Sequence, residues 1–229
     1  MKSIIFDAGP IISLATNNLL WILKPLKKYF NGKFYITDAV KRELVDKPFE
    51  TKKFKFEAIQ VEKLIEEGVI EVIDSIRVSQ QTPMLLNKAN QTFKAYSNYM
   101  KIVHYAEMSV IAAALEIKAD AIVIDEKTTR FLIENPENLI DIFKKTLHTR
   151  IDVNESNLKE FRATARGVKT IRSVELVAIA FERGILDAYM TKLPNSRAQL
   201  LESVLWGVKL NGCAVSKDEI SQIIKIELK

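Results

Sequence analysis

Two aspartates occupy equivalent places along the chain, each directly after a short apolar run. Asp7 follows residues 3–6 and Asp125 follows residues 121–124, and both runs are rich in β-branched residues, as buried strands are. If the two strands lie parallel in one sheet, both carboxylates emerge at its carboxyl edge, where open α/β sheets bind their ligands. The spacing therefore predicts a shared acidic cleft.

Two glutamates lie where they can join the same cleft. Glu43 belongs to a predicted helix after a second short strand at 33–36, and Glu107 lies near the start of a helix predicted over 104–118. Carboxylates that crowd together raise each other's pKa, and a divalent cation relieves the repulsion. Oxygen-only ligands suit Mg²⁺ or Mn²⁺, which can activate water against a phosphodiester. The candidate catalytic and metal-binding residues are Asp7, Glu43, Glu107 and Asp125.

Other chemistries have weaker support in the sequence. Neither His104 nor His148 stands in a recognisable order with a serine and an aspartate, which disfavours acyl transfer by a triad. An aspartyl nucleophile would want a second aspartate at position 9, which is Gly9. No glycine-rich phosphate loop is present. Cys213 is the single cysteine, so an intrachain disulfide and a thiolate zinc site are excluded, and we expect it to be inert.

Each acid also has an ordinary structural explanation. Asp7 and Asp125 could cap the helices that follow them, and Glu107 and Glu43 could be solvated helix surface. Glu126 could be an auxiliary ligand, although solvent exposure is the preferred interpretation.

Three polar neighbours of the acids carry similar alternatives. Ser13 could contact a metal-bound water or a phosphate, or lie on a helix surface. Thr37 has the same two roles, with helix capping preferred, and His104 is expected to cap a helix or face solvent.

Short apolar strands alternate with amphipathic helices, which predicts a three-layer α/β/α fold with a central, mainly parallel sheet. Residues 1–150 are expected to form the core, with a helical insertion or lid at about 47–103. Residues 151–229 would complete the core and add a mainly helical C-terminal extension. Within the insertion, the pattern over 85–100 predicts a helix.

Composition bounds the partners. The net charge of +5 permits a polyanionic partner without demanding one. No uncharged apolar run reaches the ~18 residues that cross a bilayer, and the first residues lack the features of a signal peptide. With a single cysteine, we expect a cytoplasmic protein without a membrane segment.

Basic and aromatic groups provide candidate RNA contacts. The aromatic residues in the insertion could stack on unpaired bases, and the basic groups could follow a phosphate backbone. The alternative is a solvated face over core aromatics. The basic groups are Lys52, Lys53 and Lys55; Lys144, Lys145, His148 and Arg150; and Lys159, Arg162, Arg166, Lys169 and Arg172, and the aromatics are Phe54, Phe56, Tyr96 and Tyr99.

Three segments resemble, in order, the acidic motifs of PIN-domain proteins. They are IIFDAGPIISLA (4–15), ITDAVKREL (36–44) and HYAEMSVIAAALEIKADAIVIDEKTTR (104–130), and they carry Asp7, Glu43, and Glu107 with Asp125. Segments 170–186 and 200–220 also resemble the ending of an archaeal and bacterial subgroup related to the toxin nucleases of toxin–antitoxin pairs.

The resemblance implies a Mg²⁺- or Mn²⁺-dependent endoribonuclease that acts on RNA, with a homodimer and an antitoxin-like partner as further expectations. The chain departs from the family pattern in places. Tyr105-Ala106 replace the glycine that usually precedes the third acid, and Glu126-Lys127 replace the usual Asp-Arg. These departures favour the alternative, a catalytically degenerate PIN-like nucleic-acid or protein-binding module.

Overall fold

The computed structural model describes residues 2–228 and contains a five-stranded parallel sheet with the order β3-β2-β1-β6-β8. A second, antiparallel sheet has the order β5-β4-β7. The strands are β1 (Ser3–Phe6), β2 (Lys33–Thr37), β3 (Glu71–Ile73), β4 (Phe93–Ala95), β5 (Asn98–Tyr99), β6 (Ala121–Val123), β7 (Ile151–Val153) and β8 (Thr170–Ile171).

Helices fill most of the remaining chain. They are α1 (Ala8–Thr16), α2 (Leu23–Phe30), α3 (Asp38–Lys41), α4 (Lys47–Thr51), α5 (Lys55–Glu66), α6 (Ile76–Asn90), α7 (Tyr105–Ile117), α8 (Lys127–Glu134), α9 (Glu137–Leu147), α10 (Glu155–Ala165), α11 (Ser173–Glu182), α12 (Ser196–Leu210) and α13 (Lys217–Glu227). A π-helical turn, Arg42–Asp46, joins α3 to α4, and short 3₁₀ segments cover Leu20–Ile22 and Ile185–Tyr189.

The central strands are apolar on both faces because helices cover the sheet on both sides. Ile5 and Phe6 of β1 and Ile122 and Val123 of β6 have no exposed surface. Side chains alternate between the two faces of a strand, so a strand that is buried throughout must be covered twice. The predicted three-layer α/β/α architecture with a central parallel sheet is confirmed.

The helix predicted over 85–100 is wrong in its second half. Helix α6 ends at Asn90, and the chain then forms the hairpin β4–β5. Tyr96 and Ser97 have positive φ angles of 50° and 67°, which reverse the chain as in the turns of tight hairpins. The Asn90 side chain accepts the Ile102 N–H at 2.7 Å. Strand β7 (Ile151–Val153), which follows much later in the chain, pairs with β4. Helical periodicity could not show this long-range pairing.

Residues 47–103, predicted as a helical insertion, also contribute strands to both sheets. They supply β3, which pairs with β2 at one edge of the central sheet, and the hairpin of the second sheet. At the opposite edge, β8 pairs with β6, so the sheet takes strands from both halves of the chain. No helix within residues 2–228 is long and apolar enough to cross a membrane.

Arg172 ties the C-terminal helices to the sheet. Its side chain is 12% exposed, and its guanidinium donates to the Ala214 carbonyl at 3.0 Å and to Glu219 at 2.8 Å, while also pairing with Glu175. A buried guanidinium needs such partners because removing a charge from water is costly. The residue therefore joins β8, α11 and the start of α13 at one point.

We predict that Arg172→Ala lowers the free energy of unfolding by about 2–3 kcal/mol, because charged hydrogen bonds are lost and their acceptors remain partly buried. Arg150→Ala is the matched control, since its pair with Asp152 is exposed and should contribute less than about 1 kcal/mol. Urea unfolding followed by circular dichroism measures both. Equal losses for the two variants would contradict the assigned role of Arg172.

Candidate active site

The four predicted acids line one open pocket of about 430 Å³ at the carboxyl edge of β1 and β6. Glu126 joins them, while His104, Asn211 and Gly212 complete the polar part of the wall. Parallel strands deliver the residues that follow them to the same edge of the sheet. The pairing of Phe6 with Val123 in the register of β1 and β6 brings the two aspartates to this edge.

Asp7 lies between β1 and α1 with its carboxylate directed at the pocket. It holds the N-cap position of α1, where the amides of Ala8 and Gly9 lie near enough to lower its pKa, but its side chain makes no capping hydrogen bond of normal geometry. The Asp7 side chain is next to Asp125 across Gly9. A Cβ built on Gly9 would lie 3.7 Å from Asp7 Oδ2 and 3.8 Å from Asp125 Cβ. The small residue leaves the space between the two acids open.

Residues of the C-terminal part of the chain donate hydrogen bonds to Asp125. The Ser173 amide donates to Oδ1 and the Ser173 hydroxyl to Oδ2, both at 2.7 Å, and the Ala214 N–H donates to the Asp125 carbonyl at 3.1 Å. Asp125 does not cap α8. Glu126 does so instead, by accepting the Thr129 N–H at 2.6 Å, so the expectation that Glu126 points into solvent was wrong.

Glu107 is half-buried at the first turn of α7, where it accepts the His104 N–H at 2.8 Å. His104 is the N-cap residue of this helix, as expected. The Thr129 hydroxyl is buried without a hydrogen-bond partner in the part of the chain that the structure describes, and it lies near enough to Glu107 to lower its pKa. One Glu107 oxygen thus caps its own helix while the side chain lines the pocket.

Glu43 forms the rim of the pocket on the π-helical turn. It is half-buried, and the nearest cation is Lys47, whose Nζ lies 3.6 Å from Glu43 Oε1. The carboxylate is close enough to raise the pKa of both Asp7 and Glu107. Glu43 therefore belongs to the electrostatics of the pocket, and ordinary helix surface is not an adequate description of it.

The environment of the pocket disfavours ionisation of its carboxyl groups. Burial, followed by the charges of Glu107 and Glu43, raises the pKa of Asp7 to about 7, although the amides of Ala8 and Gly9 lower it in part. Burial and the charges of Glu126 and Glu43 raise the pKa of Glu107 to about 7. Burial likewise raises the pKa of Asp125. Within residues 2–228, no lysine or arginine lines this pocket.

The donor chemistry of the pocket fits a hard divalent cation, since carboxylate oxygens surround an open space without a cationic side chain. The side chains are not yet gathered around one point. Among the residues that the structure describes, no three Asp, Glu, His or Cys side chains form a ready ligand set. Asp125 and Glu107 are engaged in hydrogen bonds in this structure. Holding one ion between the acids would require their side chains to move.

Several polar residues singled out by the sequence have structural roles. Ser13 is fully buried and donates to the Val208 carbonyl at 3.3 Å. Thr37 caps α3 by accepting the Val40 N–H and hydrogen-bonds Ser109 at 2.7 Å. Arg172 is not available to a phosphate backbone with the rest of its basic group, because it is buried in ion pairs with Glu175 and Glu219.

Cys213 is buried beside Asp125. Burial and the neighbouring carboxylate raise the pKa of the Cys213 thiol to about 12, so the thiol stays protonated at neutral pH. The expectation that it is not a nucleophile agrees with this environment.

Ser173 is the site residue that the sequence reasoning missed. It follows β8 just as Asp7 follows β1 and Asp125 follows β6, so its place after a strand was the available signal. The strand is two residues long, which left that signal weak.

Comparison with known proteins identifies a family relationship. A family model described as a PIN domain matches residues 3–135, which is more than half of the chain and contains all four predicted acids. No curated protein and no solved structure matches the chain.

We predict that Asp7→Asn stabilises the metal-free protein at pH 8 by roughly 2–4 kcal/mol. The Asp7 pKa is about 7 in the folded state and about 3.9 in an unfolded chain, so the folded protein loses stability as the pH rises from 4 to 7. The variant lacks this loss, and its advantage should disappear near pH 4. Urea unfolding across this range measures the difference, with the exposed Asp141→Asn as control. An advantage that is independent of pH would contradict the raised pKa.

We predict that Ser173→Ala destabilises the protein by about 2 kcal/mol at neutral pH, because a hydrogen bond to a buried carboxylate is lost. Without this donor the Asp125 pKa rises further, so the loss should grow as Asp125 ionises and shrink at low pH. Ser13→Ala is a matched control, since this serine is equally buried but donates to a neutral carbonyl. Its loss should be about 1 kcal/mol at every pH. Identical pH profiles in chemical denaturation would refute the coupling.

Proposed function

The chain belongs to the PIN-domain family, and from that membership we propose that it is a divalent-metal-dependent endoribonuclease that hydrolyses RNA phosphodiesters at the acidic pocket. The observation that supports this most directly is the composition of the pocket wall. It contains five carboxylates and, within residues 2–228, no cationic side chain. Such a wall needs a counter-charge when its acids ionise, and a divalent ion supplies one.

The proposed ion-binding residues differ in whether their carboxylate oxygens already accept hydrogen bonds from the protein. Asp7 is nearly fully buried and caps no helix, so it is the principal candidate ligand. Glu107 and Glu43 would add oxygens from α7 and from the π-helical turn. Asp125 is oriented by Ser173 and would complete the set. When bound, Mg²⁺ or Mn²⁺ would polarise a phosphodiester and lower the pKa of a water molecule.

The protein side chains supply the rest of the proposed chemistry. One of the pocket carboxylates would orient the attacking water or accept its proton. The His104 amide fixes the position of Glu107 by donating a hydrogen bond to it. Gly9 keeps the space between Asp7 and Asp125 clear for the phosphate.

We predict that the purified protein cleaves RNA with Mn²⁺ or Mg²⁺, and that Asp7→Asn and Asp125→Asn each slow cleavage by about 100-fold or more, since each removes charge stabilisation worth several kcal/mol. Asp141→Asn keeps full activity, because this aspartate is exposed on α9 away from the pocket. A labelled RNA resolved on a denaturing gel provides the measurement. Equal cleavage by the wild type and Asp7→Asn would refute the assignment.

A second candidate is a degenerate PIN-like binding module that retains the pocket without catalysis. The observation in its favour is that no three potential ligands form a ready set in residues 2–228. Calorimetric titration separates the two candidates. Binding of Mn²⁺ that Asp7→Asn weakens supports the nuclease, whereas no heat at millimolar Mn²⁺ supports the binding module.

A further inference from the structure

The segment that follows the Glu43 turn, residues 47–57, exposes an unusual set of side chains. It carries three exposed phenylalanines, with exposed fractions of 40%, 40% and 67%, and four lysines against two glutamates. Large apolar rings concentrated on a surface commonly mark an interaction site. We call this surface the aromatic platform and define it by Phe49, Phe54 and Phe56 with Lys47, Lys52, Lys53 and Lys55.

The aromatic platform adjoins the acidic pocket. Phe54 lines a small apolar slot together with Ile12 and Glu43, and the same two residues also line the acidic pocket. A strand of nucleic acid with its phosphate between Asp7 and Asp125 would therefore place a neighbouring nucleotide over Phe54. The two surfaces share a wall, so one extended ligand can contact both.

The slot itself is too small for a nucleobase. Its volume is about 30 Å³, which is room for about one water molecule. A base must therefore lie on the outer face of a ring, where stacking is independent of base identity. Lys53 Nζ lies 4.9 Å from the centre of the Phe54 ring and Lys55 Nζ lies 5.7 Å from that of Phe49. Both ammonium groups lie over ring faces, so a stacking base would displace them toward the phosphates that flank it.

The backbone holds Phe54 at the surface at some energetic cost. Phe54 has a φ of 60° and Lys52 a φ of 64°, both in the left-handed region that disfavours side chains with a Cβ by about 1–2 kcal/mol. Strained residues of this kind cluster at functional sites. This backbone conformation leaves the Phe54 ring partly exposed to water in the free protein.

We propose that the aromatic platform stacks on an unpaired base of an RNA strand whose phosphodiester lies in the acidic pocket, so that Phe54 positions the nucleotide beside the cut. This rests on the proposed nuclease function. Bases inside a duplex are stacked on both sides and cannot offer a face to Phe54, whereas loops and free ends can. The lysines favour a polyanion over an apolar protein partner.

The test measures binding in the Asp7→Asn background with Mg²⁺ present, where cleavage should be slow. A single-stranded RNA containing one 2-aminopurine reports affinity by anisotropy and stacking by its fluorescence quenching. Phe54→Ala should weaken binding by about 10-fold and abolish quenching, whereas Phe54→Trp should retain both. Tyr29→Ala, which removes an exposed ring on α2, is the matched control and should bind normally. A fully paired duplex should bind all variants equally.

Phe56→Ala repeats the test where misfolding is not a concern, because this ring is 67% exposed. The inference is overturned if both alanine variants bind the single strand as tightly as the Asp7→Asn parent, which would assign the platform to a protein partner, or if no variant shows quenching. The outcome is separable from that of the nuclease proposal. If binding depends on Phe54 but the wild-type protein cleaves no RNA with Mn²⁺, the platform is supported and catalysis is refuted.

Discussion

Repulsion between buried carboxylates is the constraint on which the carboxyl edge of the sheet depends. The parallel register of β1 and β6 brings Asp7 and Asp125 to one place, and α7 and the π-helical turn add Glu107 and Glu43. Each acid raises the free energy of ionising the next, and burial adds to that effect. A fold that needed only stability would be expected to place neutral residues here. This accumulation of acids is what the proposed divalent cation would neutralise.

The C-terminal residues are part of this arrangement and not a separate appendage. The PIN-domain match ends at residue 135, yet the hydrogen bonds to Asp125 come from Ser173 and Ala214. Arg172 fixes both donors, since it bonds the Ala214 carbonyl and precedes Ser173 in the chain. The position of the fourth acid therefore depends on β8, α11 and α13. Local unfolding of these elements should therefore displace Asp125 before it disturbs the central strands.

The sequence predicted most of the layered fold and the meeting of the acids because those signals are local. A strand of apolar residues followed by an acid is visible in five consecutive residues, and parallel pairing then brings such acids to one edge. The hairpin β4–β5 escaped prediction because its turn uses Tyr96 and Ser97 in the left-handed region, where glycine or asparagine is expected. Ser173 escaped because its strand is short and its partner, Asp125, lies 48 residues away.

The acidic pocket and the basic, aromatic surface beside it have opposite electrostatic roles. A pocket of five carboxylates repels a phosphodiester, so affinity for RNA cannot originate there without an ion. The lysines of the aromatic platform lie within the same continuous surface, because Glu43 and Ile12 belong to both walls. In the proposed complex, the lysines of the aromatic platform would attract the RNA strand before an ion has bound in the pocket. The order of events then matters, since an ion that neutralises the acids also removes the barrier that keeps the phosphate out. Ion binding and phosphate entry are thus thermodynamically coupled, and each favours the other.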